Sequence, residues 1–313
     1  MKIGLLTAAF PSLSLEQLAT WASDYGFEML EIACWPASQE KERKYAGVSH
    51  IDVESLTPAN VTKIKDFLAR KKLEISALGY YPNPLHPDPD HRKHDIDHLK
   101  KVIAGAHKLG VTTVGTFVGR TWNPQLTGRI WQKDIDYNFE QFMIVWPKIV
   151  KYAAEHNVKI AIEHCPMLWP DTWPGGDNLP YSPAILKRMF EAIPDKNFGI
   201  NFDPSHLIWL HIDYIRFIYD FADQIFHIHA KDMDIDRDML YEDGILNAGF
   251  RWQKPRLPGQ GLIDWKKLIA ALYNVGYDFV LSIEHEDSNW EGTVELVKRG
   301  FLLAKKTLEI ATV

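Results

Sequence analysis

Cysteine is scarce: Cys34 and Cys165 are the only two in 313 residues. That excludes a disulfide framework and is the usage expected in a reducing cytoplasm. No apolar run approaches the roughly 18 residues that a membrane-spanning helix needs. The opening MKIGLLTAAFPSLSL is broken at Pro11 and leads straight into a helical pattern, so it reads as a first strand rather than an export signal. Basic charge is not in surplus. Lys plus Arg number 35 against 41 Asp plus Glu, a net charge of −6, which argues against nucleic acid or an anionic membrane as partner. Also missing is any glycine-rich phosphate turn of the G-x-G-x-x-G or G-x-x-x-x-G-K-[ST] type after a strand.

What the chain does have is repetition of a short β-branched run followed by a helical pattern. Strand-like runs fall at Lys2–Ala8, Phe27–Cys34, Leu73–Leu78 and Val111–Phe117. Helices are predicted at Ser14–Tyr25, Thr57–Lys71, His91–Leu109 and Ile135–His156. Ser14 with Gln17 forms a capping-box pattern, and Thr57 precedes Pro58 at a first helical position. Four further runs, VKIAIEH, FGINFDPSH, IFHIHAKD and FVLSIEHED, complete eight strand–helix units with no linker between them. This predicts an α/β fold of one (β/α)₈ barrel domain over residues 1–313. An open doubly wound sheet, the runner-up, would normally bring the phosphate turn that is missing. Loops after strands are long (35–56, 79–90, 118–133, 165–179, 230–263) and those before strands are short. The elaborated loops therefore belong to the C-terminal face, where barrel active sites lie.

Each of the last four runs ends in a potential metal ligand: Glu163, Asp203, His229 and Glu284. Three carboxylates and an imidazole delivered to one face suit a hard divalent cation, and without one the carboxylates would repel. The bland alternative is that they pair with one another or with Lys231. Strand alternation makes His227, His229 and Lys231 share the inward face of their strand, and Ala161, Glu163 and Cys165 that of theirs. His164 and His285 should point the opposite way in an ideal strand and play structural parts, the alternative being a twisted strand end that swings either into the pocket as a proton carrier. Glu31, at the end of the second strand, either faces the pocket or pairs with Lys2. Trp35, Trp122, Trp169, Trp173, Trp252 and Trp290 fall in loops after strands, as do Tyr80 and Tyr81. Such aromatics suit the C–H faces of a sugar, or equally a small loop core or the interface of a homo-oligomer.

The chain resembles the xylose isomerase-like barrel superfamily of sugar isomerases and epimerases, which includes ketose 3-epimerases and inosose dehydratases. The resemblance runs over nearly the whole chain. It rests on Glu163 with Cys165, D-P-S-H-L (Asp203, His206), H-x-H-x-K-D (His227 to Asp232), R-x-P-G-x-G-x-x-D-W (Arg256 to Trp265) and S-I-E-H-E-D (Glu284). It implies that Glu163, Asp203, His229 and Glu284 hold one divalent ion of the Mn²⁺, Mg²⁺, Co²⁺ or Zn²⁺ type. It further implies that Glu163 and Glu284 act as acid and base on a sugar through an enediolate. His206, Arg256, Trp122 and Lys231 are the expected substrate contacts, with Arg237 or Arg251 able to replace Arg256 because the loop carries an insertion. The superfamily's DNA-repair endonucleases need further histidines at the third and fourth strand ends. These read ALGYYPNP and GTFVGRTW here, so one ion is expected rather than three. The expected function is a metal-dependent sugar isomerase or epimerase, with a lyase (dehydration or cleavage of a 3-keto-glycoside) as the alternative. The expected partner is a small, non-phosphorylated carbohydrate.

Overall fold

Short β-branched runs, each followed by a capped amphipathic stretch, dictate the architecture. The computed structural model describes residues 1–36, 45–122, 131–168, 176–246 and 251–312. Its strands are β1 Lys2–Leu6, β2 Met29–Ala33, β3 Glu74–Gly79, β4 Thr113–Thr116, β5 Lys159–Glu163, β6 Phe198–Phe202, β7 Ile225–Ala230, β8 Asp232–Ile235, β9 Gln253–Arg256 and β10 Val280–Ile283. All except β8 and β9 close into a parallel barrel in the order β1-β10-β7-β6-β5-β4-β3-β2. The α-helices are α1 Leu15–Asp24, α2 Pro58–Arg70, α3 Pro89–Leu109, α4 Trp131–Glu155, α5 Pro183–Ala192, α6 Pro204–Trp209, α7 Tyr214–Asp220, α8 Arg237–Asp243, α9 Trp265–Asn274 and α10 Val294–Thr312.

The local signals act as anticipated. Ser14 accepts from Gln17 N while Gln17 Oε1 accepts from Ser14 N, which starts α1. Thr57 caps α2 ahead of Pro58. Gly110 ends α3 at φ 75°, a left-handed turn that lets the chain reverse into β4. Alternation then sorts side chains to the two faces of the barrel wall. Leu30, Ile32, Ile160, Ile162, Ile200, Ile228, Leu281 and Ile283 are fully buried members of one apolar core. Facing inward instead are Glu31, Ser76, Asn201, His227, His229 and Ser282, all buried. An interior layer this polar departs from the branched aliphatics that usually fill a barrel.

The long stretch 230–263 is not a plain loop. β8 and β9 pair antiparallel, with Asp232 opposite Arg256. These strands are four residues each and largely polar, too short to show a period. Asp232 anchors the return by accepting from Gly259 N (3.0 Å), Ile263 N (3.1 Å) and Trp265 Nε1 (3.0 Å). That explains why the H-x-H-x-K-D and glycine–tryptophan motifs belong together: one buried carboxylate ties them. Among the described residues, no helix is long and apolar enough to cross a membrane.

Candidate metal centre and active site

Glu163 ends β5, Asp203 follows β6, His229 lies in β7 and Glu284 follows β10. All four are buried, and one donor atom from each lies within 4.8 Å of the others. Asp203 also caps α6: its Oδ1 accepts from Ser205 N at 2.8 Å, which directs Oδ2 towards the group. Asp203 Oδ2 and His229 Nδ1 are buried and turned into the group, Oδ2 3.0 Å from Lys231 Nζ and Nδ1 3.1 Å from Glu284 Oε2. Three carboxylates and one imidazole thus converge on one buried point. This donor set fits a single divalent ion, and these four residues could hold it.

Lys231 shares the site. Its Nζ lies 2.9 Å from Glu284 Oε2, 3.0 Å from Asp203 Oδ2 and 3.1 Å from Glu286 Oε2. Burial alone would lower its pKa, but Asp203 and Glu284 hold it well above the usual lysine value. The ammonium is thus engaged by acids rather than extended as a free clamp for a substrate anion. Lys231→Met should destabilise the metal-free protein by roughly 3–5 kcal/mol, the usual penalty for stripping a buried charge of its partner. Added Mn²⁺ should recover much of that loss. Denaturant melts of chelated and Mn²⁺-treated protein test this, and an unchanged midpoint would show that Lys231 does not neutralise the cluster.

The two glutamates are driven in opposite directions. Burial pushes the Glu163 carboxyl up, but His206, 3.1 Å from its Oε1, and the nearby His229 and Lys231 outweigh it and hold the group well below the carboxylate range. At Glu284 burial prevails over Lys231 and His229, and its pKa is raised. Carboxylates pushed apart in this way are the pattern of an acid and a base sharing one site. His206 Nε2 lies 3.1 Å from both Glu163 Oε1 and Asp203 Oδ2 and borders the same pocket.

Two buried histidines stand apart from this chemistry. His164 faces outward, between Phe202 and Phe217, and its Nε2 accepts from Asp203 N at 3.3 Å. His285 likewise packs on Phe301 of α10. Inside the barrel, His227 Nδ1 is 3.0 Å from Asn201 Oδ1 and its Nε2 is 3.1 Å from Ser76 Oγ. Burial lowers the pKa of both His164 and His227 from 6.5 to about 4. Between those values the unfolded chain binds more protons than the folded one. Their stabilising effect is therefore complete above pH 6.5 and is lost as pH falls towards 4. Each should contribute up to about 3 kcal/mol to that fall. Urea melts across this range test it, with a shallower slope expected in His164→Gln.

Glu31, left unassigned by sequence reasoning, faces the interior. Its Oε2 lies 2.8 Å from His229 Nε2, whereas Lys2 pairs with Glu74 instead. The sequence left facing the pocket and pairing with Lys2 both open, and no spacing rule tied Glu31 to His229, 198 residues away.

The pocket that Glu163 and Glu284 line has mainly apolar walls, among them Trp35, Phe117, Met167, Leu168, Trp209 and Met233. Two expected contacts lie elsewhere. Arg256 sits in β9 with its Nη1 donating to Asp287 Oδ1 at 3.2 Å, because pairing with β8 turns it towards the loop after β10. Trp122 is half exposed and packs edge-on against His86. Neither lines the pocket, and no arginine does among the described residues. Of the loop tryptophans, Trp35 lines it and Trp252 packs behind Trp209 in a separate apolar cluster, the loop-core alternative. Trp169 and Trp173 lie outside the described residues. Trp209 was missed because it sits within a helix of six residues, where no loop pattern flags it.

With this geometry in hand, comparison with known proteins is decisive at the level of family. Residues 19–306 match the family model of the xylose isomerase-like TIM barrel. The chain belongs to that family. Within it, an uncharacterized protein of Bacillus subtilis, YfiH, is 28% identical over 92% of this chain and 93% of its own length. An inosose dehydratase of Lacticaseibacillus casei is 30% identical over 113 residues, 36% of this chain and 38% of that protein. Among solved structures, the D-psicose 3-epimerase of Clostridium cellulolyticum superposes with a TM-score of 0.70 at 16% identity, covering 100% of this chain and 99% of that one. This xylose isomerase-like chain therefore shares its barrel with an epimerase and a stretch of sequence with a dehydratase.

Proposed function

We propose that this protein is a divalent-metal-dependent sugar isomerase or epimerase, the whole chain serving as one catalytic barrel. The observation that carries the reading is the pair Glu163 and Glu284. Both are buried at one pocket, with Oε2 of each turned to His229 Nδ1, at 3.7 Å and 3.1 Å respectively. Glu163, Asp203, His229 and Glu284 would hold one ion, with Mn²⁺ the first choice and Mg²⁺, Co²⁺ or Zn²⁺ the others. Bound there, it supplies Lewis-acid polarisation of a carbonyl and neighbouring hydroxyl oxygen, which acidifies the C–H bond between them.

Glu163, which favours its ionised form, takes that proton. The C–H electron pair moves into the carbonyl and an enediolate forms. His206, at 3.1 Å from Glu163, is placed to donate a hydrogen bond to a sugar hydroxyl. Glu284, at the same pocket, returns a proton. Delivery to the opposite face of the same carbon gives an epimer, and delivery to the adjacent carbon gives an isomer. The apolar walls and the engaged state of Lys231 favour a neutral, non-phosphorylated carbohydrate with an apolar face.

A lyase reaction is the second reading, favoured by the segment shared with inosose dehydratase. With a leaving group on the next carbon, the same abstraction expels it, and Lys231 or Glu286 could protonate the departing oxygen. Incubation of the Mn²⁺-treated protein in D₂O with ketoses and 3-keto-glycosides separates the two. Deuterium beside the carbonyl reports abstraction, and the product distinguishes an epimer or isomer from an eliminated fragment. Metal-bound protein that labels no member of the panel would refute the proton-transfer mechanism.

A further inference from the structure

Below the four candidate ligands, Glu31 is held on every side. Its Oε1 accepts from the Tyr81 hydroxyl at 2.5 Å, and its Oε2 accepts from Ser282 Oγ at 3.0 Å and faces His229 Nε2 at 2.8 Å. Backbone shape maintains this arrangement: a Cβ at Gly115 would collide with the Tyr81 hydroxyl. Glu31, His227 and His229 also bring donor atoms within 4.8 Å of one another. Yet His227 uses both ring nitrogens on Asn201 and Ser76, and both Glu31 oxygens accept hydrogen bonds. This deeper trio is a hydrogen-bonded layer, not a second metal site.

What that layer controls is the form of one imidazole. His229 Nδ1 faces the pocket, 3.1 Å from Glu284 Oε2, and can ligate only through a free lone pair. With one proton on the ring, that proton must then reside on Nε2. Three neighbours surround Nε2: the Glu31 carboxylate, which can only accept; Asn201 Nδ2 at 3.0 Å, which can only donate; and the Tyr81 hydroxyl at 3.1 Å, whose proton goes to Glu31 Oε1. Asn201 is oriented by its Oδ1 on His227 Nδ1, so its amino group stays turned towards His229 and Tyr81. Were Asn201 to prevail, Nε2 would accept and the proton would sit on Nδ1, blocking the ligand position.

We propose that Glu31 is a positioning residue that selects the Nε2–H form of His229 and so keeps Nδ1 available to a metal. The inference rests on reading Glu163, Asp203, His229 and Glu284 as a metal set. Carboxylate partners of metal-bound histidines typically account for 10–100-fold in affinity.

Three measurements on the full chain test it. Co²⁺ titration by calorimetry should show affinity about 10–100-fold weaker in Glu31→Leu. Adding Asn201→Asp to that variant puts an acceptor beside Nε2 and should restore most of the loss, which a purely structural role for Glu31 would not produce. In Co²⁺-loaded wild type, proton NMR should show one hyperfine-shifted resonance that disappears in D₂O, the His229 Nε2–H. Equal Co²⁺ affinity in Glu31→Leu, a folded but unrescued double variant, or a wild-type complex lacking the exchangeable resonance would each overturn the proposal. The last needs no variant to fold. Failure of wild type to bind Co²⁺ at all would instead refute the metal site itself.

Discussion

Glu284→Gln should lower kcat by about 10³-fold, the scale of a lost general acid or base, and leave the barrel folded. The amide keeps the shape of the carboxyl and can still accept from Lys231, which retains Asp203 and Glu286 as ion partners. What it cannot do is deliver or receive a proton. Hydrogen–deuterium exchange at the carbon beside the carbonyl distinguishes the two steps. If Glu284 only returns the proton, Glu284→Gln should still release the substrate's hydrogen to solvent while forming little product. Glu163→Gln should prevent both. Wild-type turnover in Glu284→Gln at saturating Mn²⁺ would eliminate its catalytic role.

Removal of divalent cations should have an equally large effect. Protein treated with a chelator and freed of it should be inactive, and Mn²⁺, Co²⁺ or Mg²⁺ should restore turnover. The same titration should be visible in stability, because an ion that binds only the folded state stabilises it by mass action. At free ion about a hundredfold above Kd the gain is roughly 2.7 kcal/mol, or about 5 °C in Tm for a chain of this size. The buried donor cluster of Glu163, Asp203, His229 and Glu284 is where that gain would originate. Turnover that survives chelation, or a Tm indifferent to the ion, would reject the assignment.

Much of this was legible in one sequence because strands and helices carry different periods and barrel loops differ in length between the two faces. Alternation placed Glu163, His229 and Lys231 on the inner wall and His164 on the outer one, as the structure does. Less accessible were contacts set by the way short segments pair. Arg256 was expected in the pocket on its motif position, but the β8–β9 pairing points it at Asp287. Trp122 was expected against a substrate because it is aromatic and in a loop, yet it packs on His86 at the surface.

By itself, then, the amino-acid order determined an eight-stranded barrel and the delivery of three acids and a histidine to the C-terminal ends of its last four strands. Those features follow from short-range periodicity, which one chain displays directly. Only the tertiary structure decided which groups surround those residues: Lys231 between carboxylates, Glu31 behind His229, and Trp209 and Met233 in the wall. Such partners meet through barrel closure and loop pairing between positions far apart in sequence, where no local pattern records the distance.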